Sequence, residues 1–215
     1  ANAINCGARI RGVSASMIGG YLGPPEGAAL AQIACSLLLL PIHQADFVGG
    51  EVVDARYGGD CGRHGLWAES MHGQALSRNT HLLTLHVVNQ TASPCTEMLL
   101  YESAVGVLNI SVSGVSSYQG PRSGGGKYAD HITPLECKFC GEVLKCSTGM
   151  TRKEVNEITK VLLPKYEGML LDPPKGKSFR QCYDLNTLNP TREWLDIYLK
   201  VKRELIELGV PLNYP

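Results

Sequence analysis

Apolar and polar positions alternate along the first half of the chain in a plan repeated four times. Each unit has a short apolar run, a polar or glycine-rich turn, and a stretch of helical periodicity. Residues 8–18 (ARIRGVSASMI) read as a helix end or loop leading into a strand. They open into Gly19-Gly20-Tyr21-Leu22-Gly23-Pro24-Pro25-Glu26-Gly27, and a helix follows to about Ile42. Glu51 to Arg56 is the second strand; it ends in Tyr57-Gly58-Gly59-Asp60-Cys61-Gly62-Arg63, before a helix from about His64 to Arg78. The third strand, His81 to Val88, turns through Asn89-Gln90-Thr91-Ala92-Ser93 into a helix that ends near Gly106 to Leu108. There Ser93 suits the N-cap, Pro94 the first helical position and Glu97 the first turn. The fourth strand is expected at Asn109 to Val115 (NISVSGV), with a loop rich in Gly, Ser and Pro from Ser116 to Tyr128.

The remainder reads as helices. Thr133-Pro134-Leu135-Glu136 and Thr151-Arg152-Lys153-Glu154 are capping boxes, in which side chains satisfy the first free N–H groups of a helix. The first of these helices stops near Gly149 and the second runs to about Leu163, followed by a loop at Pro173-Pro174-Lys175-Gly176-Lys177. Asn189-Pro190 starts the last helix. Its apolar stripe is Trp194, Ile197, Tyr198, Val201, Leu205 and Leu208, and Gly209 and Pro211 end it.

Strand ends near residues 20, 57, 89 and 114, each followed by a polar loop and a helix, predict an α/β fold with a parallel sheet. No G-x-G-x-x-G follows a strand, which argues against a dinucleotide-binding domain. Long polar segments after every strand fit a (β/α)8 TIM-barrel type, in which all such loops share one face. Four units make half of a barrel, so the expected division is 1–128 as carboxy-terminal βα units and 129–215 as a helical segment packed on them. Half a barrel leaves open strand edges, and a further polypeptide segment is expected to complete it.

Composition narrows the function. The 215 residues are 44% hydrophobic, and 20 basic residues balance 20 acidic ones. Zero net charge argues against a nucleic-acid binder that works through bulk positive charge. The most apolar run, Ala28 to Ile42, is short for a membrane span and is interrupted by Pro41. It is expected as a helix buried on most of its sides, or at a subunit interface. Eight scattered cysteines suggest a reduced, cytoplasmic protein. Cys137, Cys140 and Cys146 resemble three zinc ligands without a fourth, so plain thiols are the expectation and no metal site is assigned. His81 and His86, five apart on a strand, fall on opposite faces and read as packing or surface residues.

Three groups of residues carry candidate chemistry. Glu26 and Glu97 stand at helix starts, where a carboxylate either holds a cationic ligand or complements the helix dipole. Asn89 and Gln90 offer donors and acceptors at the third strand's end. Arg56, Tyr57 and Arg63 flank a glycine turn that is no P-loop, and either bind an anion or pair with Asp54 or Asp60.

Several words of this sequence, in order, carry a family resemblance. They are Gly19-Gly20-Tyr21 with Gly23, Pro94-Cys95-Thr96-Glu97-Met98, Thr148-Gly149-Met150, and Gly176-Lys177-Ser178-Phe179-Arg180-Gln181-Cys182-Tyr183-Asp184, with Arg56, Gly58 and Arg63 between. Over nearly its whole length the chain resembles the carboxy-terminal half of the monomethylamine:corrinoid protein methyltransferases. The resemblance implies a homo-oligomeric TIM barrel that passes the methyl group of monomethylamine to Co(I) of a corrinoid (cobalamin) carried by a cognate corrinoid protein. No cofactor is then bound directly. The family's pyrrolysine, which binds and orients the amine, belongs upstream of the matched region, and this chain is expected to be the piece downstream of its amber codon. In this frame Glu26, Gln90 and Glu97 are the expected catalytic residues, and Tyr21, Arg56, Tyr57, Arg63 and Asn89 line the cavity. The alternative is a non-catalytic, pyrrolysine-free relative or fragment that binds a corrinoid protein or self-associates.

Overall fold

The structure is a computed structural model and describes residues 2–212. After one helical turn, α1 (Asn2–Asn5), four βα units follow: β1 (Arg11–Ile18), α2 (Pro25–His43), β2 (Phe47–Asp54), α3 (Arg63–Asn79), β3 (Thr84–Val88), α4 (Glu97–Val112) and β4 (Ser117–Pro121). Then come α5 (Pro134–Cys146), α6 (Arg152–Leu162), the short α7 (Phe179–Cys182) and α8 (Arg192–Glu207). The strands are all parallel and pair in chain order, β1-β2-β3-β4. Right-handed crossovers between successive neighbours put the connecting helices on one face of such a sheet.

β2 depends on Gly49 and Gly50, whose φ angles are 152° and 147°. A Cβ at Gly50 would lie 1.7 Å from the Ser14 carbonyl oxygen, and one at Gly49 would lie 2.1 Å from that of Leu85. Both neighbouring strands therefore close on bare backbone.

The main core surrounds α4. Leu99, Leu100, Ala104, Val105, Val107 and Leu108 are fully buried, so this helix is enclosed on all sides. It packs against α3, α5, α6 and α8, with Phe139, Leu162, Trp194, Val201 and Leu205 filling the gaps. The Trp194 indole N–H donates to Thr133 Oγ1 at 3.0 Å, so the buried ring leaves no unpaired donor. Both predicted capping boxes are present, at Thr133/Glu136 and Thr151/Glu154.

Four expectations need correction. Asn109 to Val115 is not a strand: its apolar residues finish α4, where Ile110 is buried and the Asn109 amide donates to the Leu66 carbonyl of α3. Tertiary packing overrides the strand preference of Ile and Val there. The fourth strand is instead Ser117–Pro121, within the expected loop; as an edge strand it tolerates proline. The cap of α4 is Thr96, not Ser93, and its Oγ1 accepts from Leu99 N at 3.3 Å. Cys95 sits at φ 65°, which delays the helix by three residues. Finally, α2 is not buried on most sides. Only Ala28, Ala29, Gln32 and Ser36 are buried, while Leu30, Leu37, Leu38 and Ile42 are exposed. By length and composition α2 could cross a membrane, yet it carries the polar Gln32 and Ser36 on the face it packs against the sheet and α3.

Candidate functional site

Parallel strands bring all four following loops to one end of the sheet. The sheet's second face is open along its β1 edge among the described residues, where Arg11, Val13, Ala15 and Met17 alternate outward and are exposed. Register carries this face across Phe47, Gly49 and Glu51 on β2, Leu85 on β3 and Ser117 on β4, and Gly49, Glu51 and Leu85 are buried there. Arg11, Phe47, Leu85, Ser117 and Gln119 line one hollow at its lower end.

At the other end, on the same face, Glu51 and Asn89 meet Arg122. Glu51 lies in the middle of β2 and is 8% exposed. Arg122 Nη1 donates to its two carboxylate oxygens at 3.1 and 3.2 Å. Asn89 Nδ2 donates to Glu51 Oε2 at 2.5 Å and to Asp60 Oδ2 at 3.0 Å. Two carboxylates on one amide nitrogen fix which end of the amide is which. The Asn89 Oδ1 is thereby an acceptor of known position, and among the described residues no protein donor takes it.

Asp60 lies behind this amide and also accepts the Asn89 backbone N–H at 3.0 Å. Burial, and then the nearby Glu69 charge, push its carboxyl up to about 7, although His86 and the Asn89 donors pull the other way. The loop after β3 is held by Glu102 of α4. It accepts from Thr91 N at 2.9 Å, Thr91 Oγ1 at 2.8 Å and Ala92 N at 3.0 Å. Burial drives Glu102 up to about 7 against those three donors. From the other side, Pro174–Lys177 clamps the same loop: Lys177 N donates to the Pro94 carbonyl at 2.9 Å. Gly176, at φ 61°, passes so close to that carbonyl that a Cβ would lie 2.3 Å from it.

The sequence-predicted residues are distributed over several places. Asn89 is in the polar cluster just described. Gln90 is fully buried beside it, with both ends of its amide occupied: Nε2 donates to Ser103 Oγ at 3.0 Å and Oε1 accepts Arg122 N at 2.8 Å. It braces β3 to α4 and to the end of β4. Glu26 and Arg63 line a different groove, between α2, α3 and α6, with His64, Trp67 and Arg152. Arg63 forms a bidentate pair with Glu167, at 3.0 and 2.7 Å. Glu97 pairs with Lys200 of α8 at 2.6 Å and accepts from Tyr101. Arg56 closes a bidentate pair on Asp54, at 2.9 and 2.6 Å, and lies 5.9 Å from the Tyr57 ring. Tyr57 is nearly buried, and burial raises its pKa; Tyr21 is fully exposed. The structure therefore does not gather Glu26, Gln90 and Glu97 in one cavity.

Sequence reading missed Glu51, Asp60, Glu102 and Arg122. The usable signal was Glu51, a charge within an apolar run beside two glycines (FVGGEVV). Cys137 is exposed and Cys140 buried, and they join no group of metal-ligand spacing among the described residues. All eight cysteines are free thiols.

Comparison with known proteins bears on this arrangement. The family model described as "Monomethylamine methyltransferase MtmB" matches residues 7–210. The chain is 30% identical over 194 residues to monomethylamine methyltransferase MtmB of Methanosarcina mazei, covering 90% of this chain and 42% of that protein. Monomethylamine methyltransferase MtmB3 of Methanosarcina barkeri matches with the same identity and coverage. The crystal structure of the Methanosarcina barkeri monomethylamine methyltransferase superposes with a TM-score of 0.94 at 28% identity, over 99% of this chain and 46% of that one. The structure of a hydroxylamine complex of MtmB gives the same values. The chain spans less than half the length of these relatives.

Proposed function

Since the chain belongs to the monomethylamine methyltransferase MtmB family, we propose that it supplies one wall of an active site that moves the methyl group of monomethylamine to a corrinoid cobalt carried by a partner protein. The observation that supports this beyond the family match is the buried Asn89 amide at the loop end of that sheet face. Its nitrogen is bound by Glu51 and Asp60, so its oxygen is a fixed acceptor beside a carboxylate. Methylammonium presents N–H donors and positive charge, which suit such a pair. The amine nitrogen would be held at Asn89 Oδ1 and Glu51, with Arg122 keeping the Glu51 carboxylate in place. Gln90 acts as a positioning residue, through its bond to Arg122 N.

The protein's contribution is orientation. The methyl carbon must point away from this wall toward the acceptor, so that attack is in line with the departing nitrogen. The corrinoid is a substrate brought by the partner, and the other wall comes from a further part of the enzyme. The one-sided sheet supports a (β/α)8 barrel in which additional strands pair with β1 and β4 and cover Val13 and Met17, now 41% and 49% exposed. The exposed leucines of α2 support self-association through that helix.

The full-length protein, mixed with its corrinoid partner reduced to Co(I), tests the activity. Methylamine-dependent loss of the Co(I) absorbance is the expected result. A Co(I) spectrum unchanged by methylamine would reject it.

A further inference from the structure

Beneath the sheet, on the side away from the polar cluster, α2, α3, β2 and β3 enclose Glu69, His72 and His86. The three are 3%, 0% and 1% exposed. Their ligating atoms lie within 4.8 Å of one another. Glu69 and His72 are three residues apart on α3 and so project from one face of it, while His86 meets them from β3.

The hydrogen bonding inside this cluster is incomplete. Ser36 Oγ of α2 sits 2.9 Å from His72 Nε2 and fixes that ring through its outer nitrogen. His72 Nδ1, on the other side of the ring, has no partner. The His86 Nε2–Glu69 Oε2 contact is 2.7 Å, an ion-pair distance, but neither atom is aligned for a hydrogen bond, and His86 Nδ1 has no partner either. The second Glu69 oxygen accepts the Val52 N–H of β2. Gln32 Oε1, one turn before Ser36 on α2, is also buried and unpaired. Buried polar atoms are nearly always paired, so this concentration of unpaired ones within a single cluster calls for a cause.

We infer that Glu69, His72 and His86 form a binding site for one divalent transition-metal ion of the zinc class. A cation there would give partners to the free His72 nitrogen, a His86 nitrogen and the free Glu69 oxygen together. Two imidazoles and one carboxylate are a set that Zn2+ accepts. Tetrahedral zinc with bonds of about 2.0–2.1 Å needs ligand atoms roughly 3.4 Å apart. Atoms now within 4.8 Å of one another must therefore draw in to that spacing, and the 2.7 Å His86–Glu69 contact must open slightly. Ser36 on His72 and Val52 N–H on Glu69 already supply the outer hydrogen bonds that orient metal ligands. Because the cluster is closed to solvent, the ion would enter as the chain folds and would tie α3 to β3.

The test is metal content. Full-length protein is produced in zinc-supplemented and, separately, cobalt-supplemented medium, then desalted and analysed by elemental mass spectrometry. The expected result is about one metal ion per chain. The cobalt form should show the visible bands of a tetrahedral nitrogen–oxygen site, without the thiolate charge-transfer band that cysteine ligation would give. His72→Gln should lose at least about nine-tenths of the metal. X-ray absorption at the zinc edge of the wild-type protein reads the ligand set even if that variant fails to fold. Less than about a tenth of an ion per chain, a thiolate signature, or full metal content in folded His72→Gln would each overturn the assignment.

Discussion

The helix-facing side of β1 is lined by Gly12, Ser14, Ser16 and Ile18, and α2 meets it with Ala28, Ala29, Gln32 and Ser36. The α4 region is filled by Leu99, Leu100, Leu108, Phe139, Leu162 and Trp194. The first region is packed through small and polar groups, and leaves apolar surface bare on both its outer sides: Val13 and Met17 on the sheet, and Leu30, Leu37, Leu38 and Ile42 on α2. The second encloses these large side chains. Hydrophobic burial scales with apolar area removed from water, so the stability of the chain resides around α4, and the β1–α2 end is held mainly by backbone pairing and polar contacts. The proposed site lies where these regions meet: its strands come from the thin region, and its loop after β3 is anchored by Glu102 in the thick one.

Four perturbations probe that contrast. Trp194→Ala removes the largest buried side chain of the thick region and should cost about 4 kcal/mol in urea-unfolding free energy. A cost under about 1 kcal/mol would mean that this region is not the source of stability.

Glu102→Gln replaces an acceptor of three donors by a group that presents N–H to one of them, at a cost of about 3 kcal/mol. Its pH dependence has a definite sign. The folded Glu102 titrates about 7, above the roughly 4.3 of an unfolded glutamate. A raised carboxyl contributes stability that is complete below the unfolded value and is lost as pH rises through the folded one. The cost of Glu102→Gln should therefore be greatest at about pH 4 and shrink toward about pH 8, read from melting temperatures across that range. A cost independent of pH would contradict the raised value.

On the thin side, Leu30→Ala, at a side chain 69% exposed, should change stability by no more than about 0.5 kcal/mol in the isolated chain. A larger loss would show that this face is covered in solution. The smallest effect is expected from Glu26→Gln in the full-length enzyme. Methyl transfer should stay within about twofold, because Glu26 lines the α2–α3–α6 groove and not the open sheet face. A large fall in rate would move the amine site toward that groove.

Much of the fold was readable from the chain, because turn and cap chemistry is local. The capping boxes at Thr133 and Thr151 are written in adjacent residues, and the βα repeat is written in glycine-rich turns. β4 was not readable. Ser117–Pro121 has little apolar content to mark it, while the Ile and Val of α4's last turn imitate a strand until α3 packs against them. The start of α4 was misplaced because Cys95 adopts a left-handed conformation, in a loop that bonds to the distant Pro174–Lys177 segment. Of the candidate site, Asn89 was visible as a polar residue at a strand end. Glu51, Asp60 and Arg122 were not, because only the parallel register brings β2, the following loop and the end of β4 onto one amide. Glu69, His72 and His86 were not read as a group, because their convergence requires α3 to pack against β3.

The most direct test of the central claim, that the amine is held at the Glu51–Asn89 end of the open sheet face, is the methylamine-dependent rate of Co(I) loss for Glu51→Gln in the full-length enzyme. Removing one charge-assisted interaction worth about 2 kcal/mol should lower kcat/KM about thirtyfold, with the melting temperature changed by only a few degrees. A wild-type rate in this variant would place the amine elsewhere.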